Sequence, residues 1–384
     1  MPASVWALGF TSMFMDMSSE LVHSLLPVYM ATVLGTSMLT IGIVEGIAEA
    51  TASITKVFSG ALSDHWNKRK SLVVFGYGLS AFTKPIFPLA SSIGWVAGAR
   101  FLDRVGKGIR GAPRDALIAD ITPPEMRGAA YGLRQAMDSV GALLGPLLAV
   151  GCMLLMSDNI RNVLWVGVVP GFIGVALLIG GVQEPDHVGS GSAKRLRFAD
   201  LQQLDRAYWL IVGLGAIFTL ARFSEAFLIL RGQQAGFPVA YLPVVFVVMN
   251  VVYTAGAYPA GVLSDRMSHT GLLLSGVVVL IGSQLILAMT ASPTTVLLGA
   301  ALWGLHLALT QGLFSKLVAD FAPAALRGTA FGVFNLISGV ALLFGSVIAG
   351  ALWSSFGPSA TFYAGAAFAA VAAVGRTNST RLRR

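Results

Sequence analysis

Arg100-Phe-Leu-Asp103-Arg104-Val-Gly-Lys107-Gly-Ile-Arg110-Gly-Ala-Pro113-Arg114-Asp115 lies inside a segment whose hydropathy is that of a membrane span. At 100° per residue, Arg100, Arg104, Lys107, Arg110 and Arg114 fall on one side of a helix, with Asp103 and Asp115 flanking them. One Arg or Lys at the centre of a bilayer costs about 2.5–3.5 kcal/mol on insertion scales, so a row of them facing lipid is prohibitive. This face must look at protein, water or a ligand, and that requires other helices around it.

Composition supplies those helices. The chain has 384 residues, 55% hydrophobic and 11% charged, with a mean hydropathy of +0.75; it reads as an all-α polytopic membrane protein. The formal net charge of +8 gathers at span ends, so it argues for membrane orientation and not for nucleic acid. Cys152 is the single cysteine, which excludes an intramolecular disulfide and a thiolate metal cluster. His23, His65, His187, His269 and His306 have no paired spacing for a metal, and no nucleophile motif is present, so neither a metal site nor an enzyme is expected. Gly106-Lys107-Gly108 lacks the strand and upstream glycine of a phosphate loop; no cofactor is expected.

Apolar segments of about 20 residues fall near 4–33, 39–62, 71–91, 94–119, 128–156 and 161–182, and again near 207–231, 239–263, 271–290, 294–319, 328–353 and 359–375. The first carries Asp16, Glu20 and His23 without a preceding Lys or Arg, and reads as an uncleaved span. The expected organisation is a six-helix half at 1–182, a cytoplasmic linker at 183–206, a second half at 207–375 and a basic tail at 376–384. Lys68, Arg69 and Lys70, the linker and the tail are basic, whereas the connections at 91–94 and 291–295 are uncharged. Both termini are therefore expected in the cytoplasm, with the chain in the cytoplasmic (inner) membrane.

The halves repeat one another. Ala119-Asp120-Ile-Thr-Pro123-Pro-Glu-Met-Arg127-Gly128-Ala-Ala130-Tyr-Gly132 recurs as Ala319-Asp320-Phe-Ala-Pro323-Ala-Ala-Leu-Arg327-Gly328-Thr-Ala330-Phe-Gly332, with half of the positions identical. Independently, Gly60-Ala-Leu-Ser-Asp64 recurs as Gly261-Val-Leu-Ser-Asp265-Arg266. A duplicated bundle of this kind is built like a transporter, with its site expected between the halves near the midplane.

Four motifs then carry a resemblance. Gly60-Ala-Leu-Ser-Asp64-His-Trp-Asn-Lys68-Arg69-Lys70 resembles the loop signature of the major facilitator superfamily, with His65 and Asn67 where Arg and Gly are common. Arg100-Phe-Leu-x-x-x-Gly106 is similar to the family's fourth-span motif, Asp120-x-x-Pro-x-Glu-x-Arg127-Gly128 to the loop that follows, and Asp138-x-x-Gly141-x-x-x-Gly145-Pro146 in part to its antiporter motif. The resemblance implies twelve transmembrane helices in two pseudo-symmetric halves, a signature loop made of Gly60, Asp64, Lys68 and Arg69 with its repeat Gly261, Asp265 and Arg266, and transport by alternating access. The densely charged fourth span departs from the apolar one of typical drug exporters in that family.

Candidate residues follow from spacing. Asp16, Glu20 and His23 project from one face of the first span. They read either as a proton or cation site or as counter-ions of span four, and Glu45 and Glu49 join them as ion-coupling candidates. Glu45, Glu49 and Lys56 also share a face, which reads as a structural network. Arg134 and Asp138, at i and i+4, read as a self-satisfying pair. With Arg100, Asp103, Arg104, Lys107, Arg110, Arg114 and Asp115 they form the cavity and gating set. Seven embedded acids against eight bases in the first half make a nearly neutral network, so a bound phosphate or carboxylate is the less favoured reading. In the second half Arg222 and Glu225 read as an i, i+3 pair. With Asn250, Tyr253, Trp303, His306 and Gln311 they are the substrate-cavity candidates, His306 reading more plainly as a satisfied polar residue.

The sequence thus predicts a secondary transporter, with proton-coupled export of a small organic solute by antiport as the leading reading. An importer or facilitator of an anionic metabolite is the alternative, and a non-transporting sensor or scaffold the reading from another class. Expected partners are a small-molecule substrate, protons and the lipid bilayer, with no nucleic acid, for a monomeric chain.

Overall fold

Backbone amides in hydrocarbon have no water to bond, so a spanning chain must satisfy them within each segment. The computed structural model describes residues 1–66, 69–183, 204–266, 269–289, 292–323 and 326–381, and among these the regular structure is helical throughout. In the first half α1 runs Ala3–Val28 and ends in a π turn at Tyr29–Val33. Then come α2 Met38–Trp66, α3 Arg69–Thr83 with a short continuation Ile86–Leu89, α4 Ile93–Ile121, α5 Arg127–Leu155, and α6, interrupted at Gly167, as Ile160–Val166 and Val168–Gly181. In the second half α7 is broken into Arg206–Ala221 and Ala226–Gln234. It is followed by α8 Val244–Arg266, α9 His269–Met289, α10 Pro293–Phe321, α11 Arg327–Phe356 and α12 Pro358–Arg381.

Among the described residues nine helices are long and apolar enough to cross a membrane. The other three, α1, α4 and α12, fall short for readable reasons. The first two carry the charged residues of the fourth-span stretch and of α1, and the described side chains of α12 form a shorter apolar helix, Pro358–Ala373. Charged groups survive in α4 because most are turned to protein: Arg100, Asp103, Arg104 and Arg110 are all buried, while Asp16 and Glu20 of α1 are half-buried.

The chain gathers into two compact units, Met1–Leu34 with Thr51–Arg195 and Gly35–Ala50 with Leu196–Arg384. Residues 35–50, the first half of α2, thus cluster with the second unit. In the first unit α1 packs on α5 and α6, and α3 on α4 and α6; in the second α7 packs on α11 and α12, and α9 on α10 and α12. The same four pairings in both units are the structural counterpart of the sequence repeat. The first core joins Leu8 and Met15 of α1 to Val73 and Tyr77 of α3, Leu117 and Ile118 of α4 and Leu178 of α6. Most of the predicted linker at 183–206, and the side chains of the predicted tail at 376–384, lie outside the described residues.

Candidate functional site

Close approach of α1 and α5 sets up the first unit's polar interior. A Cβ on Gly145 would stand 2.6 Å from the Met17 carbonyl oxygen and 2.9 Å from Glu20 Cβ, and one on Gly141 would collide with the Met13 carbonyl oxygen. Only glycine fits there, and the contact places the acids of α1 beside α5.

Around them the charged residues sort into local matches. Lys84, just beyond α3, donates from Nζ to Asp103 Oδ1 at 2.9 Å and to Ser19 Oγ at 3.0 Å, tying α3, α4 and α1 together. Arg110 donates to Ser80 Oγ at 2.6 Å and lies 4.6 Å over the Tyr77 ring, so its direct contacts on α3 are neutral. Arg114 donates to Ser12 Oγ at 2.8 Å and to the Tyr77 hydroxyl at 3.2 Å. Arg114 and Arg134 then share two acids. Asp115 lies 3.3 Å from the first and 3.7 Å from the second, and Asp138 lies 3.9 Å and 2.9 Å from them. Glu20 sits 3.6 Å from His23 within α1, and Arg69, from the signature loop, pairs with Asp120 at 2.7 Å.

Two groups at the centre of this arrangement have no such match. Among the described residues neither Asp16 nor Lys107 takes part in a hydrogen bond or ion pair. Asp16 is half-buried and Lys107 exposed. Lys107, Arg110, Arg114 and Asp138 all act electrostatically on Asp16, and Lys107 and Arg104 act on Glu20.

Several sequence expectations change in detail. The five cations of α4 do not present a single surface: Arg100, Arg104 and Arg110 are buried while Lys107 is exposed. A stripe spread over about a third of the helix circumference meets several neighbours. The Glu45, Glu49 and Lys56 network divides. Glu45 is buried and Glu49 half-buried in the part of α2 that clusters with the second unit, where Glu49 acts on Arg222, whereas Lys56 is exposed and faces Asp115. Arg134 and Asp138 do pair, but within a four-membered set rather than alone.

In the second unit α7 breaks where a continuous helix was expected, so Arg222 and Glu225 are not helical i, i+3 neighbours. Arg222 has left the helix at φ −103° and ψ 62°. It remains within electrostatic reach of Glu225, Tyr253 and Glu49. Gln284 Nε2 donates to the freed Ala221 carbonyl at 2.9 Å, and the Ser224 amide donates to Ser346 Oγ at 3.1 Å. His306 is buried, with Nδ1 2.9 Å from the Gly276 carbonyl oxygen and its ring 5.0 Å from that of Phe218. Trp303 is buried against Phe223. Asn250 and Tyr253 are half-buried on α8, and Gln311 and Gly261 are exposed. The side-chain surroundings of Gly60, Asp64, Lys68, Asp265 and Arg266 lie outside the described residues.

Sequence reasoning counted Lys84 among the embedded bases without assigning it a partner, and passed over Ser12, Ser19, Tyr77 and Ser80. A signal was present, because Tyr77, Ser80 and Lys84 fall at i, i+3 and i+7 on one face of an otherwise apolar span. Gln284 and Ser346, which serve the α7 break, are single polar residues with no such pattern. Among the described residues no group of three or more His, Cys, Asp or Glu is placed to hold a metal.

A twelve-helix bundle with a repeated unit and a matched polar interior is the architecture of a membrane transporter. The family model of the Major Facilitator Superfamily matches residues 8–345 and, again, 236–378. An uncharacterized MFS-type transporter of Methanocaldococcus jannaschii is 34% identical over 377 residues, spanning 96% of this chain and 92% of its own length. The multidrug resistance protein MdtH of Yersinia pestis is 29% identical over 160 residues, 41% of this chain and 38% of its own. The nucleoside transporter NupG has the same fold, with a TM-score of 0.82 at 13% identity over 96% of this chain and 98% of its own. The chain belongs to the major facilitator superfamily.

Proposed function

We propose that the chain exports a small organic solute by alternating access, in exchange for a proton carried on Asp16. The observation that carries this reading is the contrast within one polar interior. Lys84 with Asp103, and Arg114 and Arg134 with Asp115 and Asp138, are matched at contact distance, whereas Asp16 is half-buried without a direct partner among the described residues. A carboxylate so placed can load and release a proton without first breaking an ion pair, which in a buried site would cost several kcal/mol. The outward direction is supported by the partial antiporter motif at Asp138 to Pro146 and by the likeness of part of the chain to a multidrug resistance protein. The basic connections support an inner-membrane chain with both termini in the cytoplasm. Its partners in this reading are the solute, protons and lipid, and it acts as a monomer.

Proteoliposomes loaded with the pH dye pyranine test the exchange. With a pH gradient imposed, a panel of metabolites and drugs is added and proton movement recorded. At least one solute is expected to move protons against its own flux, and Asp16→Asn to abolish that movement. Identical solute flux with and without the gradient, in both wild type and Asp16→Asn, contradicts the reading.

A further inference from the structure

At the end of α3 and α4 opposite the signature loop, the first unit carries an apolar groove beside a cation whose contacts are all neutral. The groove, of about 370 Å³, is lined by Ile86 of the α3 continuation and by Ser92, Trp95, Gly98, Ala99 and Leu102 at the start of α4. Gly98 gives it depth, because nothing lies within 4 Å of where its Cβ would be. Trp95, 60% exposed, forms part of its wall. Ser92 to Leu102 is a helical length of about 15 Å, half of a hydrocarbon core of about 30 Å. The groove therefore runs the depth of a single leaflet, with Trp95 in the first turn of α4, at the level where interfacial tryptophans sit.

The cation is Arg161, at the start of α6, whose first segment packs on the α3 continuation. Its Nε donates to the Tyr29 hydroxyl at 3.1 Å and its Nη2 to the Ala90 carbonyl oxygen at 3.4 Å, an oxygen that also accepts from Tyr29 at 2.8 Å. Ala90 is two residues from Ser92, at most about 7 Å of chain, which sets the guanidinium near the mouth of the groove. Arginine has five N–H donors, so two such contacts leave three. Arg161 is exposed, and among the described residues no carboxylate pairs with it, not even Asp158 three residues before. The second unit ties the end of α9 in the same manner, with Arg231 Nη2 donating to the Ala288 carbonyl at 3.4 Å and Ser359 Oγ at 2.7 Å, but there the arginine is buried. Holding the helix end thus requires no exposed guanidinium, and the open donors of Arg161 are a property of their own. Arginine at a span end suits bidentate binding of a phosphate, and the groove beside it suits a hydrocarbon chain. We propose that this corner of the first unit holds an anionic phospholipid, its phosphate on Arg161 and one acyl chain in the groove. The site is independent of the exchange proposed at Asp16.

The test reconstitutes the full chain in phosphatidylcholine bilayers with a rising fraction of phospholipid brominated on its acyl chains, which quenches tryptophan fluorescence on contact. The signal of Trp95 is the difference between wild type and Trp95→Phe. Brominated phosphatidylglycerol should quench Trp95 at about fivefold lower mole fraction than brominated phosphatidylcholine. Arg161→Gln should make the two lipids equal, and Arg161→Lys should keep part of the preference. Tyr29→Phe, which loosens the tie to Ala90 but retains the cation, should keep most of it. Gly98→Leu fills the groove without touching Arg161 and should lower the quenching of Trp95 by phosphatidylglycerol. Equal quenching by the two lipids in wild type overturns the proposal, as does a preference that survives Arg161→Gln or quenching unchanged in Gly98→Leu. Loss of the preference on adding inorganic phosphate at constant ionic strength would make this an ion site and not a lipid site. Trp95 shielded from both lipids, with quenching that returns as the protein is diluted in the bilayer, would assign the groove to a second copy of the chain and overturn the proposal as well.

Discussion

Substituting Gly145 by Ala asks whether the α1 and α5 contact positions the site. The new Cβ would lie 2.6 Å from the Met17 carbonyl oxygen, 2.9 Å from Glu20 Cβ and 2.9 Å from the Leu21 amide nitrogen, whereas ordinary contact begins at 3.4 Å. The nearest obstacle is backbone, which has no rotamer to change, so α1 must recede by about 0.8 Å along the stretch that carries Glu20, at an overpacking cost of roughly 1–3 kcal/mol. Removing glycine from a helix interior returns roughly 0.5–1 kcal/mol, which leaves a net loss of up to about 2.5 kcal/mol. Gly132, on the same helix with nothing near its Cβ position, is the control, and Gly132→Ala should be neutral or slightly stabilising. The buried Cys152, the single cysteine, allows unfolding to be followed by a thiol-reactive dye on heating. Gly145→Ala should lower the apparent Tm by several degrees relative to Gly132→Ala and reduce transport along with it. Equal Tm values for the two variants would refute the close contact and the positioning argument built on it.

Other outcomes follow from the matched charges and from the α7 break. Lys84→Ala leaves the buried Asp103 without its cation and should cost about 3–5 kcal/mol, read as loss of folded protein in detergent, while Lys84→Met combined with Asp103→Leu should recover most of it. Ser346→Ala removes the acceptor for the buried Ser224 amide and should cost about 1–3 kcal/mol, measured by the same thermal assay. Tyr77→Phe keeps the ring under Arg110 but deletes the hydroxyl that receives Arg114. Stability should fall by about 0.5–1.5 kcal/mol, while the dependence of flux on the pH gradient changes by more than that loss explains.

The fold was legible because its signals are long-range in the sequence. Hydropathy marks the spans, and the Asp120 to Gly132 and Asp320 to Gly332 repeat marks the two halves, whose helix pairings are indeed alike. Even α1 and α4, which fall below the apolar threshold for a span, could be placed by the requirement that charges in lipid be covered. The site was legible only in its membership. Periodicity puts Arg100 to Arg114 on a helix face, but it does not say that Asp103 turns to Lys84, that Arg110 stacks on Tyr77, or that Lys107 alone stays exposed. Those outcomes depend on which neighbour each helix meets. The i, i+3 spacing of Arg222 and Glu225 presupposed a continuous helix, and Gln284 and Ser346, distant in sequence, stabilise its interruption, while Arg222 stays within electrostatic reach of Glu225.

Everything proposed for transport turns on Asp16 being the acid that changes protonation. Difference infrared spectroscopy on the purified chain, reconstituted in lipid and taken from neutral to acidic medium, addresses this without a known solute. The account predicts a carboxylic acid C=O band that appears reversibly on acidification and is missing in Asp16→Asn. A band that persists unchanged in Asp16→Asn, or one that disappears only in Asp138→Asn or Glu20→Gln, would contradict it.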